Sequence, residues 1–133
     1  PLQTSDELKK IVNFFVKNKI DSLITVEDKM THCNFNNKPL NYSKKTKFAK
    51  TQDLKKIQIF IYSLMMWRRK AFISKYIKKK SAILCGKTFF YSVKNPSTII
   101  IKKAEDLQLA DYVIKSRSKK FILKYDKIAK NKS

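Results

Sequence analysis

Four kinds of residue are scarce in this chain of 133 residues, which has one glycine, one histidine, two cysteines and ten acidic residues. With Gly86 as its single glycine, the chain cannot form a glycine-rich loop that cradles phosphates. Structural zinc needs four ligands, and only His32 and Cys33 are adjacent, with Cys85 far along the chain. We therefore expect no metal or other cofactor, and two reduced thiols, as is typical of a reducing compartment.

Catalytic and membrane-spanning patterns are missing as well. His32 lies in no recognisable triad pattern, and the adjacent acids Glu105 and Asp106 are predicted to be solvated in a turn. The most apolar stretch, residues 57–67, is far shorter than the run of about eighteen that would span a bilayer. Residues 1–10 are polar, unlike a secretory signal. We predict that the protein is not an enzyme, has no small-molecule substrate and does not enter a membrane.

The scarcity of acids leaves a large positive charge. Thirty-one lysines and arginines against ten acids give a formal net charge of +21. A chain with this much charge of one sign repels itself unless a partner neutralises it. Phosphate backbones favour such a partner, because each lysine or arginine that binds releases condensed counterions. A membrane surface is the less favoured polyanion, since the basic residues are spread over the whole chain and not confined to one amphipathic helix.

The most informative stretch is residues 68–87, which carries eight basic residues and no acid. Ile73, Tyr76 and Ile77 recur within it at helical spacing, which predicts a helix over residues 70–79 with these three side chains facing inward. Residues 82–85 and 88–93 read as strands joined by a tight turn at Gly86, where a positive φ is expected. The segment is therefore predicted to be a basic helix followed by a β-hairpin.

The pattern before this segment predicts two more helices. Thr4 and Glu7 form a capping-box pattern ahead of a helix that runs to about residue 19, and Thr51 caps a second helix. Residues 20–26 are a short strand or a continued turn, and residues 30–50 read as a long basic loop whose lysines lie along phosphates or keep the loop solvated. The stripe of the first helix is formed by Leu8, Ile11, Val12, Phe15 and Val16. The stripe of the second is formed by Leu54, Ile57, Ile61, Leu64 and Met65.

After the hairpin, the pattern predicts turns, short strands and a basic tail. A turn at residues 94–97 precedes strands at 98–101 and 107–109, and a basic extension begins at residue 111. These boundaries divide the chain into a helical region with a basic loop at 1–50, a compact region at 51–110 and an extension at 111–133.

The order of elements in residues 54–109 resembles the small RNA-binding domain named after small-subunit ribosomal protein S-four. Three of the matching features belong to the helices of the family: the tyrosine that ends the first helix, the basic start of the second helix and the apolar pair within the second helix. The other three follow the helices: the "I-x-V-N-G-K" strand and turn, the Pro-Ser turn and the "G-D-x-I-x-I" strand. In this chain, Cys85 replaces the asparagine and Glu105 replaces the glycine before the last strand. The matching positions are Tyr62, Arg69–Lys70–Ala71, Tyr76–Ile77, residues 81–87, Pro96–Ser97 and residues 105–109.

The resemblance implies an α+β fold. A helical N-terminal part would precede an S-four-like domain, in which two helices pack on a short antiparallel sheet, and a basic C-terminal extension would follow. In the family, the second helix and the following turn form one face that cradles folded RNA through phosphate contacts and recognition of RNA shape. The RNA-binding residues would then be Arg68, Arg69, Lys70, Ser74, Lys75, Lys78, Lys79, Lys80 and Lys87. The core residues would include Ile73, Tyr76, Ile77, Ile83 and Ile100.

These observations predict a structural protein of a small ribosomal subunit that binds ribosomal RNA, contacts neighbouring ribosomal proteins, and contributes to subunit assembly and translation. A bias towards Lys, Asn, Ile and Phe is typical of an AT-rich genome and favours a mitochondrial location, with the cytoplasm or another organelle as the alternative. Two other functions stay open. One is a free S-four-type RNA-binding module that acts off the ribosome, and the other is a basic architectural protein that binds DNA through its backbone.

Overall fold

The computed structural model describes residues 2–45 and 49–117. Its described part is a mixed α+β structure with three α-helices and a mixed three-stranded sheet, which confirms the predicted α+β class. The chain divides into two compact units, residues 1–100 and residues 101–133. The first unit contains the whole three-stranded sheet, and the second contains the last helix.

The first helix, α1, spans Ser5–Lys17, as the capping pattern predicted. The Thr4 hydroxyl accepts a hydrogen bond from the Glu7 amide at 3.2 Å, which satisfies one of the free N–H groups at the helix start. The Glu7 carboxylate does not complete the capping box, because it accepts a hydrogen bond from the Ser97 hydroxyl. Only part of the predicted stripe is buried, namely Ile11 and Phe15. The prediction was wrong for the rest of the stripe, since Leu8, Val12 and Val16 are exposed.

The core of the first unit lies between α1 and the sheet. Its buried residues are Ile11, Phe15, Ile20, Leu23, Ile61 and Val93. Strand β1, Ser22–Lys29, is the centre of the sheet, and its first five residues are all buried. A central strand that is covered on both faces loses the alternation of apolar and polar residues. For this reason the pattern in residues 20–26 fits both a short strand and a continued turn.

The helix predicted from residue 51 is wrong. Thr51–Asp53 forms a single 3₁₀ turn, and Ile57–Trp67 is strand β4. The segment is rich in β-branched and aromatic residues, which pack well on a pleated surface, and it pairs antiparallel with β1 along most of its length, from Lys29↔Ile57 to Ser22↔Trp67. The long-range pairing therefore overrides a spacing that also fits a helix.

The β1–β4 ladder contains a large bulge. Ile24 pairs with Met65 and Val26 with Phe60, so residues 61–64 of β4 lie opposite Thr25 alone. The buried Thr25 hydroxyl accepts a hydrogen bond from the Leu64 amide at 3.0 Å. Within the bulge, Tyr62 adopts a left-handed backbone with φ +56°. The threonine side chain thus replaces a ladder bond that the bulge removes.

The helix predicted at 70–79 is confirmed as α2, Arg69–Lys79. Its predicted inward face was wrong, since Ile73, Tyr76 and Ile77 are 43%, 50% and 66% exposed. Phe72 lies instead on the half-buried side of the helix, where its ring meets the edge of the Trp67 indole with the centroids 5.7 Å apart. The helix therefore contacts the rest of the protein through few apolar side chains and presents most of its surface to solvent.

The predicted hairpin around Gly86 was also wrong. Residues 82–85 form no strand, whereas the predicted strand at 88–93 is confirmed as β5, Thr88–Ser92, which pairs in parallel with β1 and not with residues 82–85. The buried Ser22 hydroxyl accepts from the Cys85 amide at 3.1 Å and lies 2.8 Å from the Cys85 carbonyl oxygen. These side-chain bonds satisfy both backbone groups of Cys85 without a strand partner. Gly86 does take the expected positive φ, at +55°.

Two more predicted strands are absent, and a hairpin lies where a loop was expected. Residues 98–101 form no strand, and residues 107–109 belong to helix α3, Ala104–Arg117, whose start is capped by Asp106 through the Lys102 and Lys103 amides at 2.9 Å. In residues 30–50, strands β2 (Asn34–Phe35) and β3 (Lys38–Pro39) form a short antiparallel hairpin.

These corrections bear on the predicted S-four-like architecture. The two helices packed on an antiparallel hairpin are not present in residues 51–110, where β4 replaces the first helix. Strand β1 lies in the segment predicted as 1–50 and its two partners lie in 51–110, so the two segments share one sheet. Of the predicted basic extension, residues 111–117 continue α3, and residues 118–133 lie outside the described residues.

Candidate nucleic-acid interface

The nine predicted RNA-binding residues lie on α2, at its two ends and in the loop that leads to β5. All nine are exposed. Helix α2 follows β4 with a single intervening residue, Arg68. The position of the helix is therefore fixed by the end of the β1–β4 ladder, where Ser22 pairs with Trp67.

Arg68 anchors the start of α2 to the sheet. Its Nε donates to the Ile20 carbonyl at 2.8 Å and lies 3.9 Å from an Asp21 carboxylate oxygen, while its backbone amide donates to the Asp21 carbonyl at 2.8 Å. The guanidinium also lies over the Phe15 ring, 5.7 Å from its centroid. This side chain has a structural role that its position in a basic run did not reveal, because its partners lie almost fifty residues earlier in the sequence.

Two lysines of the predicted set also hold the local structure together. The Lys75 ammonium donates to the Leu84 carbonyl, and the Lys87 ammonium donates to the Asn18 carbonyl at 2.9 Å. The Lys87 amide additionally donates to the Asp21 carboxylate at 2.8 Å. Each ammonium has three donors, so both lysines keep further donors at the surface. They link α2 and its loop to the rest of the first unit.

The other basic side chains of the set make no hydrogen bond or ion pair with another described residue. They are Arg69, Lys70, Lys78, Lys79 and Lys80. Lys70, Ser74 and Lys78 are spaced four residues apart and so lie along one side of α2. Two open grooves flank that side, of about 880 and 370 Å³, and Ser74 contributes to both. Lys70, Ser74 and Lys78 therefore form one exposed side of the helix, and Lys79, nine residues from Lys70, lies on the opposite side.

The stretch of sequence that contains α2 carries charge of one sign, although Asp21, from before β1, contacts Arg68 and Lys87. From residue 54 to residue 104 the chain holds thirteen lysines and arginines and no acid. The helix has no acidic residue in its first turn, and its N-cap Arg68 makes no side-chain capping bond. Because the N-terminus of a helix carries a partial positive charge, cations there are unfavourable by about 0.3–1 kcal/mol each. A bound polyanion would remove this penalty as well as the mutual repulsion of the lysines.

The described residues provide little for other kinds of site. None of their His, Cys, Asp and Glu side chains cluster in a group of three or more that could hold a metal ion. In the same part of the chain, no helix combines the length and the hydropathy needed to span a membrane. Comparison with protein-family models and with curated proteins gives no match. The surface of the chain itself is therefore what indicates its function.

Two features were not predicted from the sequence, one beside α2 and one at the β2–β3 hairpin. Asp21 contacts Arg68 and Lys87 and lies against Gly86, and no local signal marks it because these partners are distant in sequence. The β2–β3 hairpin did have a signal, since Asn36-Asn37 is a dipeptide that tolerates left-handed backbone. Both asparagines have a positive φ, of 48° and 62°.

Proposed function

We propose that this protein binds structured RNA through the exposed basic surface of α2. The observation that carries the proposal is the set of exposed cations from Arg69 to Lys80, in a stretch of sequence without acidic residues. These side chains would contact phosphates, which position a protein on a nucleic acid without reading its sequence. Side chains cannot reach the base edges in the deep and narrow major groove of A-form RNA. The long, flexible lysines therefore suit contact with the phosphates of such a helix.

Within this proposal, the specific role we favour is that of a structural protein of a small ribosomal subunit, in a mitochondrion. The charge of +21 supports it, since ribosomal RNA neutralises proteins of this kind along their whole length. The sequence resemblance to S-four proteins supports it at the basic helix and at Gly86, while the elements around them differ. A free RNA-binding module that acts off the ribosome and a DNA-binding architectural protein are the alternatives that the experiments must separate.

The binding surface can be tested by removing charge from α2. We expect the triple variant Lys70→Gln, Lys78→Gln, Lys79→Gln to fold normally and to bind a structured RNA stem more weakly. The slope of log affinity against log salt should fall by roughly three, about one for each phosphate that the variant no longer neutralises. Binding is measured by fluorescence anisotropy at several salt concentrations.

A matched control separates this surface from general charge. The variant Lys9→Gln, Lys10→Gln, Lys17→Gln removes the same charge from exposed positions on α1. Equal weakening in the two triple variants would show that α2 is not the binding face. Competition with duplex DNA then tests the choice of nucleic acid, since tighter binding of DNA than of RNA would favour the architectural alternative.

The ribosomal role needs a separate measurement. An organelle extract is sedimented through a sucrose gradient and the protein is followed across the fractions. Migration with the small subunit at moderate salt is the expected result. Migration near the top of the gradient, with the ribosomes intact, would contradict the ribosomal role and favour the free module.

A further inference from the structure

The β2–β3 hairpin presents an aromatic ring to solvent. Phe35, at the end of β2, is 70% exposed, and Leu40, just after β3, is 60% exposed. The two strands are joined by Asn36 and Asn37, both in the left-handed region. Paired left-handed residues form the tight turn that matches the twist of a two-stranded hairpin. The exposed ring is therefore displayed beside a well-defined turn.

The hairpin is held in place by polar side chains. The Asn41 side chain accepts from the Cys33 amide at 3.0 Å and donates to the carbonyls of Thr31 and Lys55, at 2.8 and 3.0 Å. The Tyr42 hydroxyl donates to the Asn34 side chain at 2.7 Å. These bonds tie the base of the hairpin to the segment that leads into β4. A ring on such a support loses little conformational freedom on binding a ligand.

The charge around the hairpin indicates the class of ligand. Residues 30–52 contain five lysines and no acid, while Lys29, just before them, is paired with Glu27 at 2.6 Å. Lys38 lies within the hairpin, and Lys44 and Lys45 are exposed shortly after it. A cationic surface with a protruding aromatic ring fits a single-stranded nucleic acid, in which the backbone meets the charges and a base stacks on the ring. An apolar protein partner fits less well, because it would bury uncompensated lysines.

The hairpin and α2 lie at opposite ends of the β1–β4 ladder. Ile57, which pairs with Lys29, is at the hairpin end, and Trp67, which pairs with Ser22, is next to α2. Seven residue steps along β1 separate these ends, or roughly 23 Å at about 3.3 Å per residue. An RNA that touches both surfaces must therefore extend across the sheet. The two surfaces can contact different parts of one folded RNA, such as a stem and its loop.

We propose that Phe35 is a stacking platform for an unpaired nucleobase, supported by the lysines of the hairpin segment. This inference rests on the proposed RNA-binding function and assigns a second contact to it. In this arrangement α2 holds the phosphates of a paired stem, and the hairpin captures a base that is not paired. The preferred ligand is then a stem with a single-stranded loop or bulge.

The test compares two RNAs and four variants. The probes are a stem-loop with an unpaired, adenine-containing loop and a continuous duplex with the same stem. The variants are Phe35→Ala, Phe35→Leu, Phe35→Tyr and the control Leu40→Ala, which removes an exposed apolar side chain from the same hairpin. Since Phe35 and Leu40 are exposed, circular dichroism and thermal melting should show that all four fold as the wild type does.

Stacking of one base predicts a loss of roughly 5- to 100-fold in affinity for the stem-loop in Phe35→Ala and Phe35→Leu. Phe35→Tyr should bind like the wild type, Leu40→Ala should change affinity less than about twofold, and duplex binding should be unchanged in every variant. A 2-aminopurine in the loop should be quenched by the wild type and by Phe35→Tyr only.

The inference is overturned if Phe35→Ala binds the stem-loop like the wild type, if it weakens the stem-loop and the duplex equally, or if Phe35→Leu binds like the wild type. The same binding data test the proposed RNA-binding function separately. If the wild type binds neither RNA, RNA binding itself fails and the stacking platform with it. If the wild type binds both RNAs and the α2 triple variant is weakened while Phe35→Ala is not, only the stacking platform fails.

Discussion

Replacing Gly86 with alanine should destabilise the protein through two separate effects. The first is the backbone, because φ at Gly86 is +55° and a side chain in this left-handed region costs about 1–2 kcal/mol. The second is a close approach, since a Cβ at this position would lie 2.3 Å from an Asp21 carboxylate oxygen and 2.6 Å from the Asp21 Cβ. These distances are far below van der Waals contact, so the aspartate must move.

The movement of Asp21 determines the size of the second effect. Its carboxylate accepts a 2.8 Å hydrogen bond from the Lys87 amide, and such a bond to a charged group contributes about 1.5–3 kcal/mol, less at an exposed site such as this one. The 3.9 Å ion pair between Asp21 and Arg68 is partly exposed, so no stabilisation energy is added for it. The lower entropy of the unfolded alanine chain offsets about 0.4–1 kcal/mol. The expected loss is therefore about 2–3 kcal/mol.

Urea unfolding followed by circular dichroism measures this loss in Gly86→Ala and again in an Asp21→Gly background. Without the Asp21 side chain, the same change should cost only the backbone penalty, so the two substitutions should be coupled by about 1 kcal/mol or more. Ser81→Ala, an exposed change in the same segment, serves as the control. A loss below about 0.5 kcal/mol in Gly86→Ala, or an equal loss in both backgrounds, would refute the reasoning.

Three other changes follow from the structure. Lys80 ends α2 with a φ of 54°, so Lys80→Gly should raise stability by about 1 kcal/mol, and no rise in the melting temperature would contradict this. Thr25→Val should cost about 1–3 kcal/mol because the Leu64 amide loses its acceptor, whereas Thr25→Ser should cost less in the same urea titration. The hydrogen bonds from two backbone amides lower the pKa of Asp106 below its ordinary 3.8. The stabilisation of the α3 start by the Asp106 carboxylate is therefore present above pH 3.8 and is lost as the pH falls through the lowered pKa. A carboxylate NMR titration can follow this loss, and Asp106→Asn should abolish the pH dependence.

The elements that the sequence predicted correctly are those with local signals. Helix α1 has its threonine cap at Thr4, and α2 shows the basic and apolar pattern of a surface helix. Gly86 is the one residue of its segment that takes a left-handed backbone without strain. The cap, the helical pattern and the positive φ each depend on residues within a few positions of one another, whereas the close approach of Gly86 to Asp21 does not.

The elements that the sequence mispredicted depend on distant partners. The apolar spacing in residues 54–65 fits a helix, and the β-branched and aromatic content of that run was the sign that favours a strand. The parallel pairing of β5 with β1 brings together residues more than sixty positions apart. Ile73 and Ile77 were assigned to a core by their spacing, although the helix that carries them has few neighbours to bury them.

The candidate site was predictable as a cluster of charges but not in its detail. The run of basic residues identifies α2 as the cationic surface. The contacts of Arg68 with Ile20, and of Lys87 with Asn18, divide that set into anchoring and free side chains. This division requires the tertiary structure, because every residue in the run has the same chemistry when it is read alone.

The bulge opposite Thr25 has a consequence for how copies of this protein behave at high concentration. Strand β4 lies at an edge of the three-stranded sheet, and a long apolar edge strand is a template for pairing with another chain and for aggregation. The bulge and the left-handed Tyr62 break that edge into two short stretches, residues 57–60 and 65–67. The bulge therefore interrupts an apolar edge strand of eleven residues, and bulges that twist an edge strand are one of the ways in which native sheets limit pairing with other chains.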